Sequence, residues 1–125
     1  MADVREDPPL ELAATITEVQ RLLDHGEAKP AQRLLERTWR DVPAEELELW
    51  EGLTRLLLGW DAATSGNRAS AADSLTRGAE LLGSYEDRPP HALDVAGLRA
   101  WAQHLVRELG DERSAPPPVP RLRLP

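Results

Sequence analysis

Three histidines, His25, His91 and His104, are the side chains best suited to acid–base or metal chemistry near neutral pH. None stands at a tight metal-ligand spacing from another histidine or an acidic residue, and no His-Glu-x-x-His motif occurs. A metal site needs several nitrogen or oxygen atoms that converge on one point. The sequence therefore favours isolated histidines near the surface, and leaves open a fold that brings His25 and His104 together.

Nucleophilic chemistry finds equally little support. The chain has no cysteine and no Gly-x-Ser-x-Gly motif, so a reactive thiol and a nucleophile elbow are both excluded. No histidine or lysine base lies next to Ser65, Ser70, Ser74 or Ser84. We therefore predict no catalytic residue, no metal and no cofactor.

Two further polar clusters could form a binding site, but the residue preferences of helix N-termini explain them more simply. Gly66-Asn67-Arg68 opens a predicted helix, whose free N–H groups could bind an anion, but a turn followed by a cap needs the same residues. An acidic run on the preceding helix comprises Glu45, Glu46, Glu48 and Glu51. Such a run is typical of a solvated helix face with negative charge near its N-terminus.

Composition narrows the class of protein. The 125 residues fit one domain, and the net charge of -7 with a pI near 4.9 argues against a generic nucleic-acid binder. The polar, acidic start is unlike a signal peptide, and the longest apolar run is too short to span a bilayer. We expect a cytoplasmic protein. A single lysine, Lys29, among 15 basic residues is typical of a GC-rich bacterial genome.

Two matching segments predict an all-α fold. After Gly26 and after Gly66, Ala follows at five residues, Leu at nine and Arg at eleven, as in the second arm of a helical hairpin. Apolar spacing of three and four predicts a compact bundle of about five helices, with the four tryptophans supplying most of its large rigid bulk. The expected organisation is a flexible N-terminus at 1–9, one helical domain at 10–109 and a Pro-rich flexible tail at 110–125.

Two glycines, Gly52 and Gly59, stand one heptad apart on the longest predicted helix. Glycine costs about 1 kcal/mol in a helix interior, so the close approach of another helix should compensate for it. The resulting small-residue stripe comprises Gly52, Leu56, Gly59 and Ala63. It predicts either packing within the chain or contact with a second subunit.

Taken together, these residues resemble the bacterial domain-of-unknown-function family 309, a compact all-helical family. The resemblance covers roughly residues 10 to 85 and rests on Ala31, Leu35, Glu36, Trp39, Gly52-Leu53, Gly66-Asn67, Ala71 and Leu82. Where the family pattern has His-Glu, this chain has Gln32-Arg33, and where it has Gln after the Gly-Leu pair, this chain has Arg55. Chemistry that depends on a His-Glu pair is therefore not expected here, because Gln and Arg replace neither group.

Two functions remain open. The first is a non-catalytic helical protein that acts through protein–protein contacts, including a homodimer; a tetratricopeptide-like scaffold is a weaker form of it, since the two copies are offset by 40 residues. The second is a small enzyme or anion-binding protein, with a pocket beside the first hairpin where an arginine pair holds a carboxylate or phosphate. Its polar lining would be Gln32, Arg33, Glu36 and Arg55.

Overall fold

Five α-helices form the computed structural model, which describes residues 8–110 and 117–124. Helix α1 spans Pro8–Asp24, α2 Ala28–Trp39, α3 Leu47–Thr64, α4 Arg68–Leu82 and α5 Val95–Glu108. Short 3-10 turns lie at Ala44–Glu46, Gly83–Tyr85 and Pro90–Ala92. Each helix packs against the next one along the chain, and the α3–α4 hairpin has the most extensive contact. The predicted all-α bundle is thus confirmed.

The two matching turns have the same geometry. Gly26 and Gly66 adopt positive φ angles of 74° and 84°, which glycine reaches without steric cost. One residue later, the amide of Glu27 donates to Leu22 at 2.8 Å and that of Asn67 donates to Ala62 at 2.9 Å. Both turns therefore end their helices with the same carbonyl-satisfying bond and reverse the chain into a hairpin.

Helix boundaries differ from the sequence prediction at two places. Pro8 and Pro9 lie in the first turn of α1, where proline loses no helical hydrogen bond, while residues 1–7 lie outside the described part of the chain. Asp is a preferred N-cap residue, so the sequence alone predicts Asp41 as the cap of the long helix, but Asp41 does not cap α3. A 3-10 turn follows Pro43, and α3 begins only at Leu47.

The small-residue stripe on α3 is a packing face within the chain. A Cβ added to Gly59 would lie 2.5 Å from Cγ of Leu75, and one added to Gly52 would lie 3.0 Å from Leu82, both on α4. A Cβ added to Gly78 of α4 would lie 2.9 Å from the carbonyl oxygen of Gly52. Because α4 covers Gly52 and Gly59, and Leu56 is also buried, a second subunit cannot use this stripe as a dimer contact; Ala63 at its end is half-buried.

The core contains two of the four tryptophans. Trp50 and Trp60 of α3 are buried among leucines from every helix, whereas Trp39 and Trp101 are only half-buried. The expectation that all four supply core bulk is therefore half met. Trp60 and Trp101 also turn their indole N–H groups toward residues 117 and 118.

Residues 117–124, hereafter the tail segment, pack against the bundle. They are extended, as their proline content predicts, but Pro120 is buried and Leu122 belongs to the core cluster. Within the predicted Pro-rich tail, Leu122 supplies an apolar anchor to the core; residues 111–116 and 125 lie outside the described part. The chain therefore places a peptide-like segment across its own helices.

Candidate functional site

The tail segment lies in a groove whose hydrogen bonds come from the odd-numbered helices α1, α3 and α5 and from the loop before α5. We call this surface the tail groove. In a chain of hairpins, alternate helices share one side of the stack, so three helices distant in sequence can contact one extended segment.

Gln20 of α1 forms hydrogen bonds with the main chain of the tail segment. Its Nε2 donates to the carbonyl oxygen of Pro120 at 3.1 Å, and its Oε1 accepts from the amide of Leu122 at 2.8 Å. Among side chains, only an amide offers a donor and an acceptor side by side in this way. Gln20 thus makes the two main-chain hydrogen bonds that a neighbouring strand would make with an extended segment in a sheet.

The loop before α5 pairs with the other side of the same residues. The amide of Asp94 donates to the carbonyl oxygen of Leu122 at 2.8 Å, and Leu93 forms an isolated antiparallel bridge with Arg123. Both main-chain groups of Leu122 are therefore satisfied, as burial of its side chain requires.

Two indole groups face the prolines. Trp101 Nε1 donates to the carbonyl oxygen of Pro118 at 3.1 Å, and Trp60 Nε1 approaches that of Pro117 at 3.5 Å. A proline has a carbonyl acceptor but no N–H donor, so a groove for a Pro-rich segment must supply donors. Indole N–H groups do this beside an apolar ring.

The two leucines of the tail segment differ in burial. Leu122 is 2% exposed, whereas Leu124, two residues later, is 73% exposed. Ile16 and Gln20 of α1 line the same cavity as Leu122. Leu122 is therefore the apolar anchor, whereas the Leu124 side chain lies outside the groove.

Arginines flank the anchor. Among the described residues, Arg121 Nη1 makes one contact, 3.1 Å from Oδ1 of Asp24, between two exposed side chains. Arg123 makes three: Nε to the carbonyl oxygen of His91 at 3.2 Å, Nη1 to Thr17 Oγ1 at 2.9 Å and Nη2 to the carbonyl oxygen of Ala13 at 2.9 Å. The second arginine is held much more specifically than the first.

A buried polar cluster supports the loop that contacts Arg123. The His91 side chain is 8% exposed, and its Nε2 lies 2.8 Å from Oε1 of Glu46, which also accepts from Trp50 Nε1 at 3.0 Å. His91 and Ala92 both have positive φ angles, 59° and 60°, a conformation that costs non-glycine residues about 1–2 kcal/mol each. The Glu46 contact holds this strained loop, so the expectation of an isolated histidine is wrong for His91.

The four residues of the expected polar pocket disperse. Gln32 is buried, with Nε2 3.5 Å from the carbonyl oxygen of Leu57, and Arg55 pairs along α3 with Glu51 at 3.3 Å. Arg33 and Glu36 are exposed and line an open surface groove between α1 and α2, which Arg55 does not line. Glu18 on the rim of that groove pairs with Arg21, whose hydrogen bond lowers the pKa of the Glu18 carboxyl.

The remaining candidates have structural partners. Asn67 caps α4 by accepting from the amide of Ser70 at 3.3 Å, His25 Nδ1 lies 2.8 Å from the carbonyl oxygen of Arg21, and His104 lies 3.1 Å from Glu108. In the part of the chain that the structure describes, no three His, Asp or Glu side chains converge as metal ligands. None of the described helices is long and apolar enough to cross a membrane.

Comparisons with protein-family models, with curated proteins and with solved structures each found no match. The resemblance to family 309 therefore stays a prediction. A local signal that could have indicated the tail groove is the alternation of polar and apolar residues from Arg121 to Leu124, which is the period of an extended chain with one buried side.

Proposed function

We propose that this protein is a non-catalytic helical module that acts through protein–protein contacts, and that it binds extended peptide segments in the tail groove. The observation that carries the proposal is the pair of hydrogen bonds from Gln20 to the main chain on either side of Arg121. Every residue other than proline has the same main-chain N–H and carbonyl groups, so a groove that binds these groups can accept a segment of another protein. The tail segment is then an occupant that a partner segment replaces.

Self-association follows from the same groove. A second copy carries the same segment, so reciprocal exchange of tails would give a homodimer without any new contact. The dimer, measured by sedimentation equilibrium, should be lost when Leu122 is replaced by Asp. We further propose a cytoplasmic location, which the absence of cysteine supports. The resemblance to family 309 further favours a bacterial origin for the protein.

A peptide-binding experiment on the full chain tests the proposal. Leu122→Asp should release the tail, because a carboxylate without a partner is not buried. A labelled peptide with the sequence of residues 115–125 is then titrated and followed by fluorescence anisotropy. We expect the variant to bind it at least about tenfold more tightly than the wild type, since a tethered segment competes at an effective concentration on the order of millimolar.

Two controls separate release of the tail from general damage. Leu124→Asp, at an exposed position in the same segment, should bind as weakly as the wild type. Gln20→Glu combined with Leu122→Asp should abolish binding, because a carboxylate oxygen would then face the carbonyl oxygen of Pro120 and the carboxylate of Asp24. Equal binding by the two Leu→Asp variants, with both folded by circular dichroism, would overturn the proposal. If Leu122→Asp does not fold, Leu122→Ala replaces it.

A further inference from the structure

Three oxygen atoms from two elements converge on the Arg123 guanidinium. The carbonyl oxygen of Ala13 and the hydroxyl of Thr17 belong to α1, and the carbonyl oxygen of His91 belongs to the strained loop before α5. The Thr17 hydroxyl donates its own hydrogen to Ala13 at 3.3 Å, so its oxygen is left to accept from Arg123. All three oxygen atoms are therefore available as hydrogen-bond acceptors for the N–H groups of an arginine.

The arrangement suits a guanidinium and not an ammonium. Three N–H donors on one planar group reach three separate acceptors here, two on α1 and one on the loop. A lysine carries its donors on a single nitrogen and cannot match a planar set of contacts. None of the three acceptors is a carboxylate, so charge alone does not explain the match, and geometry selects arginine.

Arg121 provides an internal contrast. It makes one ion pair, with the exposed Asp24, and such pairs are weak and tolerant of geometry. Lysine would serve at that position. The buried positions nearby are Pro120, whose carbonyl Gln20 reads, and Leu122, which fills the core.

We propose that the tail groove selects partner proteins that present an extended Pro-x-Leu-Arg segment, with the arginine recognised by Ala13, Thr17 and His91. The inference rests on the proposed function and names its ligand class. Any basic residue suits the x position. The chain's net charge of -7 assists the encounter with a basic segment, because a surplus of negative charge attracts it over long range.

The test uses the full-length Leu122→Asp variant and three labelled peptides with the sequence of residues 115–125: unchanged, Arg121→Lys and Arg123→Lys. We expect Arg123→Lys to weaken binding about tenfold, the loss of two modest hydrogen bonds, and Arg121→Lys to stay within about twofold of the unchanged peptide. Thr17→Val in the protein should reduce the preference for arginine over lysine at position 123 while leaving the Arg121→Lys ratio unchanged.

The outcomes separate the two proposals. If the unchanged peptide does not bind, the proposed function fails. If it binds and Arg123→Lys binds as tightly as Arg121→Lys, the groove exists and the selectivity is refuted. Should Leu122→Asp not fold, the same pair of substitutions is made in the otherwise unchanged chain. Arg123→Lys should then lower the thermal midpoint by about 3 °C or more, and Arg121→Lys should not; equal midpoints would refute the selectivity.

Discussion

Leu122 and Leu124 form a matched pair for measuring how firmly the tail segment is held. They are the same residue type, two positions apart in one extended segment, and differ in exposure from 2% to 73%. Replacing Leu122 by Ala removes a buried isobutyl group, and Leu→Ala changes in cores cost about 2–5 kcal/mol. We expect the low end of this range.

The low end follows from chain connectivity. The tail segment follows α5 and belongs to none of the five described helices, so it can shift or detach when its anchor is lost. The free energy lost on substitution cannot then exceed the free energy that holds the segment in place. We therefore expect Leu122→Ala to lower the free energy of unfolding by about 2 kcal/mol, and Leu124→Ala to lower it by less than about 0.5 kcal/mol.

Urea unfolding monitored by tryptophan fluorescence measures both variants. With a slope of about 2 kcal/mol/M, the Leu122→Ala midpoint should fall by about 1 M. Trp60 and Trp101 report on the groove directly, because their indole N–H groups face tail carbonyls. Equal midpoints for the two variants, both close to wild type, would refute the reasoning, since Leu122 would then contribute no more than an exposed leucine.

Two further predictions concern the bundle that carries the groove. Gly59→Ala should lower the free energy of unfolding by about 1–3 kcal/mol through overpacking against Leu75. Gly83→Ala is the control: its added Cβ would meet its nearest neighbour at 3.5 Å, so the change should be neutral or slightly stabilising. Thermal unfolding compares the two variants, and equal midpoints would contradict the close α3–α4 contact. Burial raises the pKa of the Tyr85 hydroxyl, so the unfolded chain loses this proton at lower pH, and the Tyr85 contribution to stability is present below pH about 10 and lost above it. Tyr85→Phe should flatten that alkaline decline in urea titrations, and an unchanged decline would show that other groups cause it.

Much of the fold could be predicted because its signals are local. Apolar spacing predicted a bundle of about five helices, and Gly26 and Gly66 marked turns that the structure reproduces with the same hydrogen bonds. The start of α3 was missed because Asp41 has the right chemistry for a cap, yet the chain inserts a 3-10 turn before the helix. Caps depend on backbone geometry that residue type alone does not determine.

The site could not be predicted because its contacts cross the whole chain. Gln20 and Leu122 are 102 positions apart, and nothing local distinguishes Gln20 from the exposed Gln103. The Glu46–His91 pair was missed for the same reason, since its partners are 45 positions apart. Proline content indicated an extended or disordered tail, but whether such a tail is solvated or docked depends on a groove formed by three separate helices.

Amide hydrogen exchange at Leu122 tests the central claim most directly. Its N–H donates to Gln20, whereas the amide of Arg121 has no acceptor among the described residues, so the two neighbours form an internal comparison. If the tail segment occupies the groove in solution, the Leu122 amide should exchange about a hundredfold more slowly than in an unstructured peptide, and Gln20→Glu should remove that protection. Exchange of the Leu122 amide at the rate of an unstructured peptide, in a folded wild-type chain, would contradict the account.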